Sequence, residues 1–390
     1  MTKTKAAPTS RSRAEIAALV QQRVNEREAW LVDGEPQGKK SLLKEANQFV
    51  GDVAPKLALF RPPSQAFLDE HFPVQYFDYE KWEQLRHPPL EKIQVTWMSH
   101  ASVLFQIQGC SVLADPVFSQ RCAPTQWNGP KRYRSPPCTI AELCHHLLID
   151  VVIISHNHYD HLDFASVRDI HKFSPATTFV VPLGLKLWFH KKISKHALVQ
   201  ELDWNEHYDY NYNPAGSSAI GATRQSLRIT SVPMRHWSSR LGVDRDKTLW
   251  CGYSMATHSD DDDDQKAPTA VPTQKALFPG DTAWFDSMQE LVGEAYGPFD
   301  VAAIPIGAYE PRGFMKHNHI NVEEAVKMMD ACRAVNAVPI HWGTFPLTIE
   351  PVLEPRERLE SLMKDRVAPG SFGSWLIGET KQFSAGRGAV

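Results

Sequence analysis

The run at residues 155–162 constrains this chain more than any other part of its sequence. It follows the apolar residues 151–154, which predict a buried strand, and it places three histidines and one aspartate within six residues. These side chains are His156, His158, Asp160 and His161. Imidazole nitrogens and carboxylate oxygens are the usual ligands of Zn²⁺ and similar first-row metals, and burying them without a cation is costly. The run therefore predicts a metal site at the tip of a strand; the alternative is a polar loop with exposed histidines.

The spacing within this run predicts two metal positions. His156 and His158 are two residues apart, so in an extended turn their side chains point the same way. Asp160 and His161 come after the backbone has turned, and they face a neighbouring position. One loop can therefore hold two metals side by side.

Three more candidate ligands each follow a predicted strand. They are His236, Asp281 and His341. Loops on a rigid scaffold commonly carry reactive groups, so we expect these strand ends to meet the first cluster. Together the residues supply five histidines and two aspartates, which suits two Zn²⁺. Two metals about 3.5–4 Å apart can share a water molecule and ionise it near neutral pH. No G-x-S-x-G, P-loop or Rossmann fingerprint is present.

Composition excludes some classes of function. The chain has 390 residues and a formal net charge of −3, with five acidic residues in one run at 260–264. This balance lacks the basic field that nucleic-acid binding needs. The six cysteines form no CxxC pair, which favours a reducing, intracellular compartment. The sequence contains no stretch of 18 apolar residues, so it predicts no membrane-spanning helix.

The order of elements predicts an α/β fold. Strands come first as hairpins and later alternate with helices in each half, which is typical of a two-sheet αββα sandwich. Strands are predicted at 94–97, 103–107, 111–114, 150–154, 178–181, 227–232, 249–255, 275–278, 300–304, 337–340 and 374–377. Helices are predicted at 164–173, 184–190, 322–332 and 354–363. The interpretation divides the chain into an N-terminal extension at 1–90, a catalytic domain at 91–380 and a tail at 381–390.

The N-terminal extension has two predicted parts. Residues 1–38 indicate a flexible, charged lead-in that is partly helical around 14–28. Residues 39–53 carry a helical apolar stripe near several lysines, and Leu57, Leu59 and Phe60 follow it. A basic amphipathic segment of this kind can lie in a membrane interface. The alternative is that the stripe packs on the main domain.

Longer motifs carry a narrower resemblance. They lie at residues 113–118, 129–132, 155–163, 181–184, 201–204, 280–282, 304–312 and 340–345. Together they closely resemble the N-acyl-phosphatidylethanolamine-hydrolysing phospholipase D family of the metallo-β-lactamase superfamily. The resemblance covers about residues 93 to 380. It implies a metallo-β-lactamase-like αββα sandwich, here with an extra N-terminal helical segment.

The resemblance also implies a function and a set of site residues. It implies a zinc-dependent phospholipase D that hydrolyses N-acyl-phosphatidylethanolamines to N-acylethanolamines and phosphatidic acid through a metal-bridging hydroxide. His156, His158 and His236 would hold one zinc, Asp160, His161 and His341 the other, and Asp281 would bridge them. Tyr159 and His319 would contact the substrate phosphate, with catalytic roles for Asp160, Asp281 and His319. The partners implied are a phospholipid at a membrane surface, approached by peripheral association, and a second copy in a homodimer.

Several alternatives stay open at this point. Another dizinc hydrolase of the same fold, a lactonase or a phosphodiesterase, fits the ligand set equally well, and a catalytically silent lipid-binding protein would be expected to lack ligands. Asn318 stands where the family has glutamine. His100 either approaches the metals or is a hydrogen-bonded core histidine. Asp115 either orients a ligand imidazole or caps a turn.

Overall fold

The computed structural model describes residues 5–6, 11–29, 62–213, 225–240, 242, 244–258, 273–364, 366 and 370–385. The amphipathic stretch predicted at 39–53, the apolar residues Leu57, Leu59 and Phe60, and the acidic run at 260–264 lie outside these residues. The predicted membrane contact therefore stays a prediction.

The described residues form strands, helices and one π-helical segment, Gln289–Glu294. The strands are β1 (Lys5–Ala6), β2 (Lys92–Ser99), β3 (Ser102–Ile107), β4 (Cys110–Ala114), β5 (Val151–Ile153), β6 (Thr178–Pro182), β7 (Leu198–Leu202), β8 (Glu206–Tyr212), β9 (Gln225–Val232), β10 (Gly252–His258), β11 (Lys275–Phe278), β12 (Phe299–Pro305), β13 (Ala334–Ile340) and β14 (Thr380–Ser384). The helices are α1 (Arg13–Ala29), α2 (Gln65–His71), α3 (Tyr79–Arg86), α4 (Ile140–His146), α5 (Phe164–Phe173), α6 (Lys186–Lys192), α7 (Arg312–Met315), α8 (Val322–Ala331) and α9 (Glu354–Lys364).

The strands of the described residues form two sheets of seven. The first has the order β14-β2-β3-β4-β5-β6-β7, and the second has the order β1-β8-β9-β10-β11-β12-β13. Apart from the edge strands β1 and β14, antiparallel pairing among the early strands of each sheet changes to parallel pairing among the later ones. Helices α5 and α8 each join two consecutive parallel strands. This is the mixed topology that the order of elements predicts.

Side chains that alternate along the strands divide the core into layers. Val103 and Phe105 pack in the large cluster between the two sheets, together with Phe278 of the second sheet. Leu104 points to the other face and belongs to a second core cluster, which includes Ile140 of α4. This alternation follows from the two-residue period of a strand. With α8 packed against the second sheet, the layers are helix, sheet, sheet and helix, so the predicted αββα sandwich is confirmed.

The N-terminal region corrects one expectation. Helix α1 covers the residues predicted to be partly helical, but it is not a free lead-in. Its Val20 is 2% exposed and belongs to the main core cluster. The short strand β1 pairs in parallel with β8. Apolar residues spaced along one face of α1 gain enough burial by packing on the domain to hold the helix in place.

The C-terminal end corrects another expectation. The strand predicted at 374–377 is wrong: the last strand is β14, which pairs with β2 in antiparallel register. Trp375 and Ile377 are buried, so their apolar character reflects core packing rather than a strand. The predicted boundary between domain and tail at residue 380 therefore falls inside a sheet strand. No helix among the described residues is long and apolar enough to cross a membrane.

Candidate metal centre

The seven predicted ligands lie on four loops that meet in one place. The loop after β5 carries His156, His158, Asp160 and His161, while His236 follows β9, Asp281 follows β11 and His341 follows β13. All are buried except His158 and Asp160, which are partly buried. The structure therefore brings together every residue that the sequence predicts as a ligand.

Asp281 occupies the middle of the cluster. Its Oδ2 lies 3.1 Å from His161 Nε2, 3.7 Å from His236 Nε2 and 3.8 Å from His156 Nε2. Its Oδ1 lies 3.1 Å from His341 Nε2. One carboxylate thus faces imidazoles from both halves of the sandwich, as a residue shared between two metals must.

One group beside Asp281 consists of imidazoles only. His156, His158 and His236 have ligand atoms that all lie within 4.8 Å of one another. His158 Nδ1 is 2.8 Å from His156 Nε2 and 3.4 Å from His236 Nε2. Three converging imidazoles match the ligand set of one zinc ion.

The other group combines imidazoles with a carboxylate. Asp160 Oδ2 lies 3.5 Å from His161 Nε2 and 3.4 Å from His341 Nε2. His100 Nε2 lies 3.1 Å from the same oxygen. The sequence left His100 open between a position near the metals and a core position; the structure places it in the site, where it contacts the carboxylate.

Several nitrogen and oxygen atoms in this cluster fit metal ligands better than hydrogen-bond partners. Among the described residues, His161 Nε2, His341 Nε2 and Asp281 Oδ1 are buried in the cluster without a hydrogen-bond partner. An unsatisfied buried polar group costs about 1–3 kcal/mol, so three of them in one cluster are expensive. Cations between them would satisfy them all, and the residues therefore fit a pair of metal ions.

The electrostatics of the site keep most imidazoles available as ligands. Burial lowers the pKa of His158 to about 4 and holds the pKa of His156 and His236 well below the usual value. Burial opposes ionisation of Asp281, but the protonated imidazoles of the neighbouring His161 and His341 hold its pKa well below the usual value. At neutral pH the all-imidazole group is uncharged, while Asp281 carries its negative charge.

Asp115 supports the loop after β5, which carries the histidine run. Its Oδ2 lies 2.6 Å from His161 Nδ1, and its Oδ1 accepts a hydrogen bond from Ser155 N at 2.7 Å. Asp115 therefore orients an imidazole, which decides between the two roles left open for it. Gly280 has φ +62°, and a Cβ there would lie 2.4 Å from Ser155 Cβ. Only glycine lets the Asp281 loop approach the histidine loop this closely.

The predicted substrate-contacting residues lie at the border of the cluster. His319 Nδ1 is 4.0 Å from Asp281 Oδ2, and Tyr159 is partly buried beside the ligands. The main-chain oxygen of Asn318 lies 2.9 Å from His236 Nδ1. Because this contact uses the main chain, it does not depend on the side chain at position 318.

Arg240 is a functional candidate that the sequence did not reveal. Its Nη1 donates to the main-chain oxygens of Asn157 and Leu162, at 2.9 and 2.7 Å. Its guanidinium lies 4.0 Å from the Tyr159 ring centroid and 5.3 Å from that of Trp188. It thus joins the His236 loop to both ends of the histidine run. Arginines in loops are common, and no spacing in the sequence marks this one.

Comparison with known proteins is consistent with this geometry. A family model described as a beta-lactamase superfamily domain matches residues 111–342. The chain is 38% identical over 275 residues to N-acyl-phosphatidylethanolamine-hydrolyzing phospholipase D 1 of Caenorhabditis elegans, covering 70% of each chain. It is 30% identical over 269 residues to the mitochondrial N-acyl-phosphatidylethanolamine-hydrolyzing phospholipase D of Saccharomyces cerevisiae, covering 68% of this chain and 51% of the yeast protein.

A solved structure supports the fold. The metallo hydrolase Igni18 of Ignicoccus hospitalis is 20% identical with a TM-score of 0.50, covering 75% of this chain and 99% of that protein. At this identity the likeness concerns the fold alone. Together with the relatives and the converging ligand set, it leads to one assignment. The chain is a metal-dependent hydrolase that belongs to the N-acyl-phosphatidylethanolamine-hydrolysing phospholipase D family of the beta-lactamase superfamily.

Proposed function

We propose that this protein is a zinc-dependent phospholipase D that hydrolyses N-acyl-phosphatidylethanolamines to N-acylethanolamines and phosphatidic acid. One observation carries the proposal: the seven predicted ligands meet in one cluster with Asp281 in its middle, and His319 and Tyr159 lie at the border of the same cluster. Two relatives named for this reaction give the substrate class.

The chain's own residues would hold the metals in two groups. His156, His158 and His236 would hold one zinc, and Asp160, His161 and His341 the other, with Asp281 between them. When bound, paired zinc ions act as Lewis acids on a phosphoryl oxygen and make a nucleophile available from water at neutral pH. His100 would hold the Asp160 carboxylate in place through their 3.1 Å contact.

Two residues would bind the substrate phosphate. We assign this role to Tyr159 and His319, which border the metal cluster. Burial lowers the pKa of His319 to about 4, so its imidazole is neutral at neutral pH and offers one N–H donor. The Tyr159 hydroxyl offers a second donor, and Arg240 holds the Tyr159 ring from one face. Two donors aimed at developing negative charge stabilise a phosphoryl transition state.

We further propose that the protein associates peripherally with a phospholipid surface and acts there as a homodimer. A substrate with two or three long acyl chains does not leave a bilayer freely, so the enzyme must reach it there. The stretch at residues 39–53, with Leu57, Leu59 and Phe60, remains the proposed contact. Burying each large apolar side chain contributes roughly 1.5–3 kcal/mol, against about 1 kcal/mol for each lysine near an anionic surface.

A substrate comparison tests the proposal. Purified protein is incubated with mixed micelles of N-acyl-phosphatidylethanolamine, with phosphatidylcholine micelles, and with a soluble lactone. We expect hydrolysis of the first, and in ¹⁸O-water the label should enter phosphatidic acid, because the bond between phosphorus and the ethanolamide oxygen is broken. Label in the ethanolamide would contradict attack at phosphorus. Turnover of the lactone alone would favour the alternative hydrolase of this fold.

Metal analysis tests the cofactor separately. Protein purified without added metal should contain close to two zinc ions per chain, because two groups of ligands flank Asp281. A value near zero that added zinc does not restore would contradict the proposed cofactor.

A further inference from the structure

Helix α1 carries two arginines one turn apart on the face that packs against the catalytic domain. Arg23 and Arg27 follow Val20, which is 2% exposed in the main core cluster, and Val24 packs against the same cluster. Residues three or four apart share one face of a helix. The docked face is therefore apolar near its beginning and cationic near its end.

The N-terminal segment supplies cations to two buried carboxylates of the domain. Arg23 Nε and Nη2 donate to the two oxygens of Asp203, at 2.9 and 2.8 Å, and the Asp203 side chain is 2% exposed. Glu206, whose side chain is fully buried, pairs with Arg11. Removing one partner from a buried ion pair is strongly destabilising. The segment is therefore a built-in part of the domain.

Arg27 reaches the metal centre itself. Its Nη1 donates to the main-chain oxygen of His236 at 3.0 Å and lies 3.4 Å from Asp246 Oδ2. Asp246 Oδ1 in turn accepts a hydrogen bond from Ser238 N at 3.2 Å. Arg27 thus holds the main chain at His236 directly and, through Asp246, two residues further on.

A tryptophan gives Arg27 a further contact with the same loop. The guanidinium lies 4.9 Å from the centroid of the Trp250 ring, a side chain that is 1% exposed. Trp250 Nε1 donates to the main-chain oxygen of Met234 at 2.7 Å. Cation–π contact with a buried ring strengthens as it is desolvated. The loop that carries His236 is therefore held from both sides of this residue.

We propose that Arg27 is a positioning residue of the metal centre, which holds the main chain of His236 so that its imidazole stays with His156 and His158. This inference rests on the proposed role of His236 as a ligand. The imidazole is oriented by the main-chain oxygen of Asn318, while Arg27 anchors the backbone from which it extends. Partners that orient a ligand in this way tune metal affinity.

Two matched variants of the full chain test the proposal. Arg27→Met and Arg23→Met each keep an unbranched stem and lose the guanidinium, but only Arg27 touches the His236 loop. We expect Arg27→Met to weaken one of the two zinc affinities about tenfold, measured by competition with a coloured chelator. Arg23→Met should lower the unfolding temperature and leave both affinities unchanged. In cobalt-substituted protein, only Arg27→Met should alter the visible absorption of one site.

Two outcomes would contradict the role of Arg27. Equal weakening in both variants would mean that α1 acts only through general packing, and unchanged affinity in Arg27→Met would also overturn the proposal. If Arg27→Met does not fold, Arg27→Gln and Arg23→Gln repeat the comparison, and unchanged zinc affinity in Arg27→Gln rejects the role.

A further variant separates this inference from the proposed function. His236→Ala should lose one zinc ion. Wild-type zinc content in that variant would contradict the ligand assignment itself. Loss of zinc in His236→Ala together with wild-type affinity in Arg27→Met would contradict only the role of Arg27.

Discussion

The two sources of ligands in this centre differ in how they are held. The histidine loop at residues 156–161 supplies four candidate ligands from one short stretch, whereas His236, Asp281 and His341 each come from a separate strand end. The loop is held by side chains close beneath and beside it, Asp115 and Arg240. The strand ends depend on the register of the second sheet and on helix α1. A compact motif can be held by a few side chains that contact it directly, while dispersed ligands also depend on the register of a sheet and on the packing of α1.

The largest effect is expected at Asp281, the strand-end residue that lies between the two groups of candidate ligands. Asp281→Asn removes the charge that faces His161, His236 and His341, so we expect the hydrolytic rate to fall by about a thousandfold or more, or about 4 kcal/mol in the barrier. The measurement is kcat together with zinc content. Asp286→Asn, at an exposed position in the same segment, is the control. A near-normal kcat in Asp281→Asn would show that the histidine loop alone forms the catalytic site and that the strand ends only surround it.

Removal of the metals tests whether they tie the loop to the strand ends. A ligand at a thousand times its dissociation constant stabilises the folded state by about 4 kcal/mol. We therefore expect a chelator to lower the unfolding temperature clearly, because the clustered imidazoles and carboxylates lose their common partner. Added zinc should restore the original value. An unfolding temperature that is the same with and without metal would mean that the two regions are held together by packing alone.

The support beneath the loop should have a smaller effect. Asp115→Asn keeps the size of the side chain but removes the charge that faces His161 Nδ1. We expect zinc affinity to fall by about 10- to 100-fold, measured by chelator competition. A larger loss of zinc affinity in Asp115→Asn than in Asp281→Asn would mean that the support of the histidine loop matters more than the strand ends.

The smallest expected effect is at the contact that joins the two regions. Arg240→Lys keeps the charge but loses the planar guanidinium, whose Nη1 donates to both Asn157 O and Leu162 O and whose plane lies over the Tyr159 ring. We expect kcat/KM on a short-chain soluble substrate to fall about tenfold, which is about 1.4 kcal/mol. Arg245→Lys, whose guanidinium lies over Trp237 instead, is the control. Equal losses in both variants would point to a general effect of charge on the surface.

Much of the fold follows from local patterns. The helices at α5 and α8 and the strands β3, β4 and β11 lie where apolar spacing and flanking polar residues predict them. The last strand does not, because the apolar residues Trp375 and Ile377 are buried without being in a sheet strand, while β14 follows them. Periodicity reports which residues are buried, and it does not say whether a sheet or a core contact buries them.

The sequence by itself determined the candidate ligand set. Three histidines and an aspartate within six residues carry their chemistry in their spacing, and the single histidines and aspartate at strand ends follow from the pattern of apolar runs. Membership of the phospholipase D family also follows from contiguous motifs, which the relatives confirm.

Only the tertiary structure decided how these ligands are supported. Arg27 and His236 are 209 positions apart, and Arg240 and Asn157 are 83 apart, so no local pattern connects them. The same holds for His100, which contacts Asp160 from the end of β2. Whether a side chain can bind a metal depends on its chemistry, so candidate ligands can be recognised from the residue type. Positioning depends on which distant backbone atoms lie within hydrogen-bonding distance, and that is settled only when the sheets and α1 pack together.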